Sequence, residues 1–296
     1  MLKYEIISEL GNQKTRKFGS TILIKELSSG KLFVKKSIDK RKTKKAIWDR
    51  LVQEGKFDFK HPGLPILYEF HETENLISVV RPYIEGVTLN EYFDQLKRRQ
   101  KINFTKKLVE KLVPIFERLK AENIVHCDIK PSNILINKRN DDFDVFLIDF
   151  GLAVKRTKTD VRKTLFPLGY AAPELLLNQL DIVDSRSDLF SLGIMIWRLF
   201  TGELPLKHPN PSIYTNIQLT HPLPDHVSLP KGLLEILQKM TYKFQFKLPP
   251  NKISAAEVKS SLVIGMNQRY QSFSEVSTDL NQLQQKKSFY QRISFR

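Results

Sequence analysis

Residues 124–136 read IVHCDIKPSNILI: a polar cluster of His126, Cys127, Asp128, Lys130, Pro131 and Asn133 set between apolar runs. Asp128 offers an acceptor for a hydroxyl proton. Lys130, two positions on, offers a cation for phosphate oxygens, and Asn133, five positions after the aspartate, an oxygen ligand for a hard divalent metal. Together these are the parts needed for phosphoryl transfer, which requires a second metal-binding acid. VFLIDFG, residues 145–151, supplies it: Asp149 at the end of an apolar strand, followed by Phe150 and the permissive Gly151. Taken singly, Asp128 or Asn133 reads as a turn or cap residue and Lys130 as a surface charge. It is their order along one chain that argues for chemistry, while His126 and Phe150 read as packing residues.

Working outward, residues 1 to about 82 are β-rich with one helix. YEIISEL, STILIKEL and KLFVKKSI have strand character, and KKAIWDRLVQEGKF has helical spacing. From Leu89 onward helices dominate. NFTKKLVEKLVPIFERLKAEN is long and amphipathic with a bend expected at Pro114, and DSRSDLFSLGIMIWRLFTGE opens on Asp and Ser caps before a nearly all-round apolar run, which predicts a buried helix. NILI and VFLI, joined by the polar NKRNDDFD, predict a hairpin at the junction of the two regions. The last stretch, 284–296, is polar and basic and reads as a tail.

HCDIKPSN resembles the catalytic loop H-R-D-x-K-x-x-N of the protein kinase family, DFG its metal-binding motif, AAPE (171–174) the end of its activation segment, and SDLFSLG its D-x-W/Y-S-x-G helix. The order agrees from about Tyr4 to Leu283. The resemblance implies a two-lobed α+β fold, with an N-lobe of about 1–82 and a C-lobe of about 83–283 in a kinase domain of 1–283. It also implies transfer of the γ-phosphoryl group of ATP to serine or threonine, Lys130 pointing to that class. In these terms Asp128 is the base and Lys130 neutralises the transferring group. Asn133 and Asp149 hold Mg2+ or Mn2+, and Asp188 braces the catalytic loop.

The nucleotide-facing half is less regular. KLFVKKSI resembles the strand ending V-A-I-K, which places the phosphate-binding lysine at Lys35 with Lys36 facing the other way. Its partner is Glu54, by resemblance of RLVQEGKFDFKHPGLP to the following helix, although Glu54 to His61 is about two residues short of the family spacing; Asp49 is the fallback. The glycine loop near ELGNQKTRKFGSTILIKE keeps Gly11 and Gly19 but lacks the middle glycine. LISVVRPYIEGVTL resembles the segment joining the lobes. There Arg81 stands where an apolar residue is expected behind the adenine, and Pro82 C=O and Ile84 N–H serve the base. GMNQRYQSFSEVSTDL resembles the R-Y-Q-S-x-x-E-L ending of bacterial serine/threonine kinases and offers Arg269 as partner for Glu174, with Lys252 as the other candidate.

The residue before the catalytic aspartate is arginine in most regulated kinases and Cys127 here, so the resemblance is to the subset whose activity need not await phosphorylation of the activation segment. A pseudokinase, keeping the fold as a binding or scaffolding protein, is the alternative. A small-molecule kinase of related fold lacks AAPE and the SDLFSLG helix. The formal charge of +16 over 296 residues is concentrated in 35–45 and 96–101, which read as solvated faces, and in 155–163, which suits an acidic protein substrate. Nucleic acid is less favoured, since no reading motif or interleaved aromatics accompany the basic runs. One cysteine excludes an internal disulfide, and no apolar stretch has membrane-spanning length. With no signal pattern at Met1, the expectation is a cytoplasmic protein.

Overall fold

The computed structural model of the chain describes residues 3–10, 19–156, 165–246 and 248–293. The chain divides into two compact units, residues 1–87 with 135–153, and residues 88–134 with 154–296. The hairpin carrying Asp149 therefore groups with the N-terminal unit, where the sequence suggested one cut near residue 82.

The N-terminal unit is built on a five-stranded antiparallel sheet. Strands β1 (Tyr4–Glu9), β2 (Ser20–Glu26) and β3 (Leu32–Asp39) lead into helix α1 (Lys45–Glu54), and β4 (Glu69–Glu72) and β5 (Leu76–Pro82) complete the order β1-β2-β3-β5-β4. Successive strand side chains point to opposite faces, which gives the sheet two apolar surfaces. On one, Ile38, Ile77 and Val79 pack with Leu51 of α1. On the other, Ile24, Phe33 and Val80 pack with Tyr4 and Ile22. Gly19 enters β2 at φ 129°, and a Cβ there would lie 2.5 Å from the Ser37 carbonyl oxygen, so only glycine fits. Later in the chain β6 (Val87–Thr88), β8 (Ile134–Arg139) and β9 (Asp142–Leu147) form a three-stranded sheet, the last two making the expected hairpin.

The C-terminal unit is helical. Helix α2 (Leu89–Asp94) opens with a capping box of Thr88 and Glu91, and α3 (Arg98–Ala121) runs through Pro114. Strand β7 (Ile124–Val125) pairs with β10 (Val154–Lys155), and the short α4 (Pro173–Leu176) follows. Helix α5 (Ser185–Thr201), capped by Asp184, buries 12 of its residues, as its all-round apolar run requires. Helices α6 (Pro211–Thr220), α7 (Leu233–Met240), α8 (Ala255–Asn267) and α9 (Phe273–Ile293) complete the unit. Helix α9 docks on α3, with Phe116 and Phe273 stacked 3.7 Å apart, and it continues to Ile293 where the sequence suggested a tail from 284. No helix among the described residues is long and apolar enough to cross a membrane.

Candidate active site

In the N-terminal unit the lysine of the ion pair is Lys36. Its Nζ lies 3.0 and 2.9 Å from the two carboxylate oxygens of Glu54 and 3.7 Å from Asp149 Oδ1. The expectation that Lys35 pairs with Glu54 is thereby corrected, and strand phase gives the reason. Lys36 is in phase with Ile38 and sits opposite Val79, on the face that α1 covers. Lys35 is in phase with Phe33 and sits opposite Val80, on the other face. Burial works against the charge on Lys36, but the Asp149 and Glu54 carboxylates and the Glu54 hydrogen bonds outweigh it and hold the ammonium above its ordinary value.

Glu54 is the last residue of α1 and is buried, whereas Asp49 pairs with Lys45 at the surface, so the fallback is not needed. Asp149 takes a left-handed backbone conformation, φ 69°, and its carboxylate is 42% exposed. Phe150 is fully buried against Phe59, 4.6 Å between ring centres, and Phe57, 5.7 Å. Pro82 closes β5 opposite Phe33, and Ile84 follows in the connection to β6. Of the glycine pair, Gly19 is placed at the start of β2; Gly11 lies outside the described residues.

In the C-terminal unit the catalytic-loop residues converge on Asp128. Lys130 Nζ lies 2.7 Å from Asp128 Oδ2, and Asn133 Nδ2 donates to the same oxygen and to the Asp128 carbonyl, each at 2.9 Å. With its amide nitrogen so engaged, Asn133 keeps Oδ1 as its acceptor atom. The turn Pro131–Asn133 is a single 3-10 turn started by proline, which fixes the lysine-to-asparagine spacing. Asp188 of α5 accepts the backbone N–H groups of His126 and Cys127, each at 2.8 Å, the bracing role expected of it. Burial pushes Asp188 up to about 7, while those two amides favour its charged form. His126 is fully buried, and its Nδ1 accepts the Asp128 N–H at 3.2 Å. Cys127 sits at φ 63°, a conformation uncommon for a side-chain-bearing residue, and is buried.

Behind this loop, Arg269 donates to Glu174 Oε1 at 2.7 Å and Oε2 at 3.1 Å, and Ser187 Oγ donates to Oε1 at 2.7 Å. Both ions of the pair are buried, so removing one would strand the other. Lys252 lies elsewhere, in the 3-10 turn Pro250–Lys252.

The protein kinase domain model matches residues 4–283. The chain belongs to the protein kinase family. Among curated proteins, this kinase domain is 29% identical over 196 residues to the serine/threonine-protein kinase PrkC of Bacillus subtilis, 63% of this chain and 29% of the relative. It is 31% identical over 217 residues to the serine/threonine-protein kinase cds1 of Schizosaccharomyces pombe, 68% and 45% respectively. To CBL-interacting protein kinase 14 of Oryza sativa it is 27% identical over 271 residues, 88% and 58%. The chain thus spans between about a third and somewhat over half the length of these relatives.

Within its own unit each of the two residues offers oxygen of the kind a hard divalent cation takes, an accessible carboxylate on Asp149 and an amide oxygen on Asn133. The residue that sequence reasoning left without a role is Arg81. It is buried at the end of α1, where its guanidinium donates to the carbonyls of Glu54, Phe57 and Pro65.

Proposed function

We propose that the chain is a serine/threonine protein kinase transferring the γ-phosphoryl group of ATP to a protein hydroxyl. The observation that carries this is the ion pair of Lys36 with buried Glu54, beside the accessible carboxylate of Asp149. In this reading Lys36, held charged, takes the α/β-phosphates, and Pro82 and Ile84 offer the acceptor and donor for adenine. Asp128 orients the substrate hydroxyl and accepts its proton, a contribution of about 10² to 10⁴. Lys130, already on Asp128 Oδ2, neutralises charge on the transferring group. Mg2+ or Mn2+, held by Asn133 and Asp149, supplies neutralisation of phosphate charge.

Cys127 in place of arginine supports activity that does not await phosphorylation of the activation segment, and the RYQS ending at 269–272 supports a bacterial-type enzyme. A reducing, cytoplasmic setting suits its single buried thiol. The basic residues Lys155, Arg156, Lys158, Arg162 and Lys163, against Asp160 alone, favour acidic substrate peptides. The preference should weaken steeply with added salt. A degenerate peptide library phosphorylated at low and high ionic strength measures it, and a charge-blind profile at low salt would remove the idea.

The test of the reaction is labelled ATP with magnesium and a generic protein substrate, comparing wild type with Asp149→Asn. The amide cannot supply an anionic ligand, so incorporation should vanish while the thermal midpoint stays within a few degrees. Incorporation that persists in Asp149→Asn would refute the metal assignment. Nucleotide binding without turnover in the wild type would make the chain a pseudokinase.

A further inference from the structure

Helix α1 is ten residues long and its last residue is Glu54, the partner of Lys36. A helix end is the part most ready to fray, because its last carbonyls lack partners four residues on. Here the last of them, Glu54 O, is taken by one side chain from the sheet, which also holds two carbonyls of the chain beyond the helix. Arg81 Nη2 donates to Glu54 O at 2.7 Å and to Phe57 O at 2.9 Å, and Nη1 donates to Pro65 O at 3.3 Å. Its Nε lies 3.5 Å from Glu54 Oε1, so the Glu54 carboxylate is flanked by two cations, Lys36 and Arg81. Strand phase makes this possible. Arg81 sits opposite Val34 in the β3–β5 register, so it emerges on the same face as Val79 and Lys36, under α1.

We infer that Arg81 is a positioning residue, a clamp that fastens the C-terminal end of α1 to β5 and so keeps Glu54 on Lys36 whether or not nucleotide is bound. A cation at a helix C-terminus is favoured by the helix dipole. Arg81 is 8% exposed, and swinging α1 away would cost this largely buried guanidinium its bond to Glu54 O and its carboxylate partner. A second contact closes over the same turn: Gly55 has no side chain, and a Cβ there would lie 2.3 Å from the ring of Phe70 in β4. The turn is also tied to the segment that carries Asp149. Gln53 Nε2 donates to Ala153 O at 3.3 Å, and a Cβ on Gly151 would lie 3.3 Å from Arg50 Cβ. The purpose of the clamp rests on the kinase reading; its existence is a property of the fold alone.

The test is backbone hydrogen exchange of the full chain over residues 46–57, with and without ADP and magnesium, for wild type, Arg81→Met and Arg81→Lys. In wild type, exchange over this stretch should change by less than about twofold on adding nucleotide, because the helix end is already held. In Arg81→Met it should rise by about tenfold or more without nucleotide while β2, β3 and the C-terminal unit keep their protection. Arg81→Lys, whose ammonium cannot span three carbonyls, should fall between. Exchange over 46–57 that is unaltered in Arg81→Met overturns the inference. So does loss of protection throughout the N-terminal unit in both variants, which would make Arg81 a general prop. The catalytic readout is independent: Arg81→Met should lower kcat/KM by about tenfold or more in wild type and add nothing in a Glu54→Gln background, since it acts through Glu54. Losses that multiply would overturn it. A chain with no phosphoryl transfer at all would remove the kinase reading and leave the exchange result standing.

Discussion

Lys35 and Lys36 are chemically identical neighbours, and what separates them is the face of a strand. Lys36 lies on the α1 face with Ile38 and opposite Val79, and there it meets Glu54 at 2.9 Å; Lys35 lies opposite Val80 on the other face. Lys36→Met should therefore reduce phosphoryl transfer by about 10² or more, and Lys35→Met should change it by less than about threefold, since only the first removes a cation placed for the phosphates. Initial rates at saturating and subsaturating ATP check this; equal losses in the two variants would sink the assignment. The resemblance to V-A-I-K could not choose between two adjacent lysines, because a one-residue slip costs nothing in a sequence comparison yet turns every side chain to the opposite face. The signal was nevertheless present. Ile38, in phase with Lys36, is followed by the helix that carries Glu54, so the pairing lysine has to share a face with the apolar residues beneath that helix. The gathering of Lys130 and Asn133 on Asp128 was legible because it depends on local spacing in one turn.

At the level of elements, the legible features were those with a period: the all-round apolar α5, the amphipathic α3, and the β8–β9 hairpin. The early end of α1 was visible only as a missing pair of residues before His61. Its consequence, an arginine from β5 taking over the helix end, depends on a tertiary contact with no local sequence mark. A similar hidden contact follows α7. Lys243 is buried, donates to His221 O, and shares the ring of Phe190 with Arg269, whose guanidinium lies 4.9 Å from the ring centre. Burial first, and the Arg269 charge second, push Lys243 down to about 7. Between about 7 and its ordinary value near 10.5 the unfolded chain then holds one more proton than the folded one, so stability from this group rises with pH across that window. Below about 7 both states are protonated and the full penalty remains. The slope is at most about 1.4 kcal/mol per pH unit. Urea midpoints at pH 7 and pH 9 should thus show wild type gaining on Lys243→Met as pH rises; parallel changes in the two proteins would show that Lys243 keeps its proton in the fold.

Across the whole molecule, the charge of +16 and the missing arginine before Asp128 bear on one question, how activity is switched. An arginine at that position would carry a positive charge into a segment already rich in lysine and arginine, and a phosphate would be needed to relieve the repulsion. Cys127 brings no charge. It is buried, its Sγ lies 3.5 Å from the Val125 carbonyl, and its amide is held by Asp188, so the loop is braced from α5. In the other unit the Lys36–Glu54 pair is flanked by Arg81. The loop and the ion pair are each held by contacts inside their own unit. On the reading proposed above, Thr157, Thr159 and Thr164, outside the described residues, would be sites of output rather than a switch. Replacing all three with alanine should leave initial rates on an external substrate within about threefold of wild type, a barrier change of roughly 0.7 kcal/mol or less. Rates measured on protein stripped of phosphate beforehand, with the thermal midpoint alongside, make the comparison. A loss of about a hundredfold, some ~2.7 kcal/mol, in a folded variant would mean that a phosphate is required after all and that another cation has assumed the missing arginine's part.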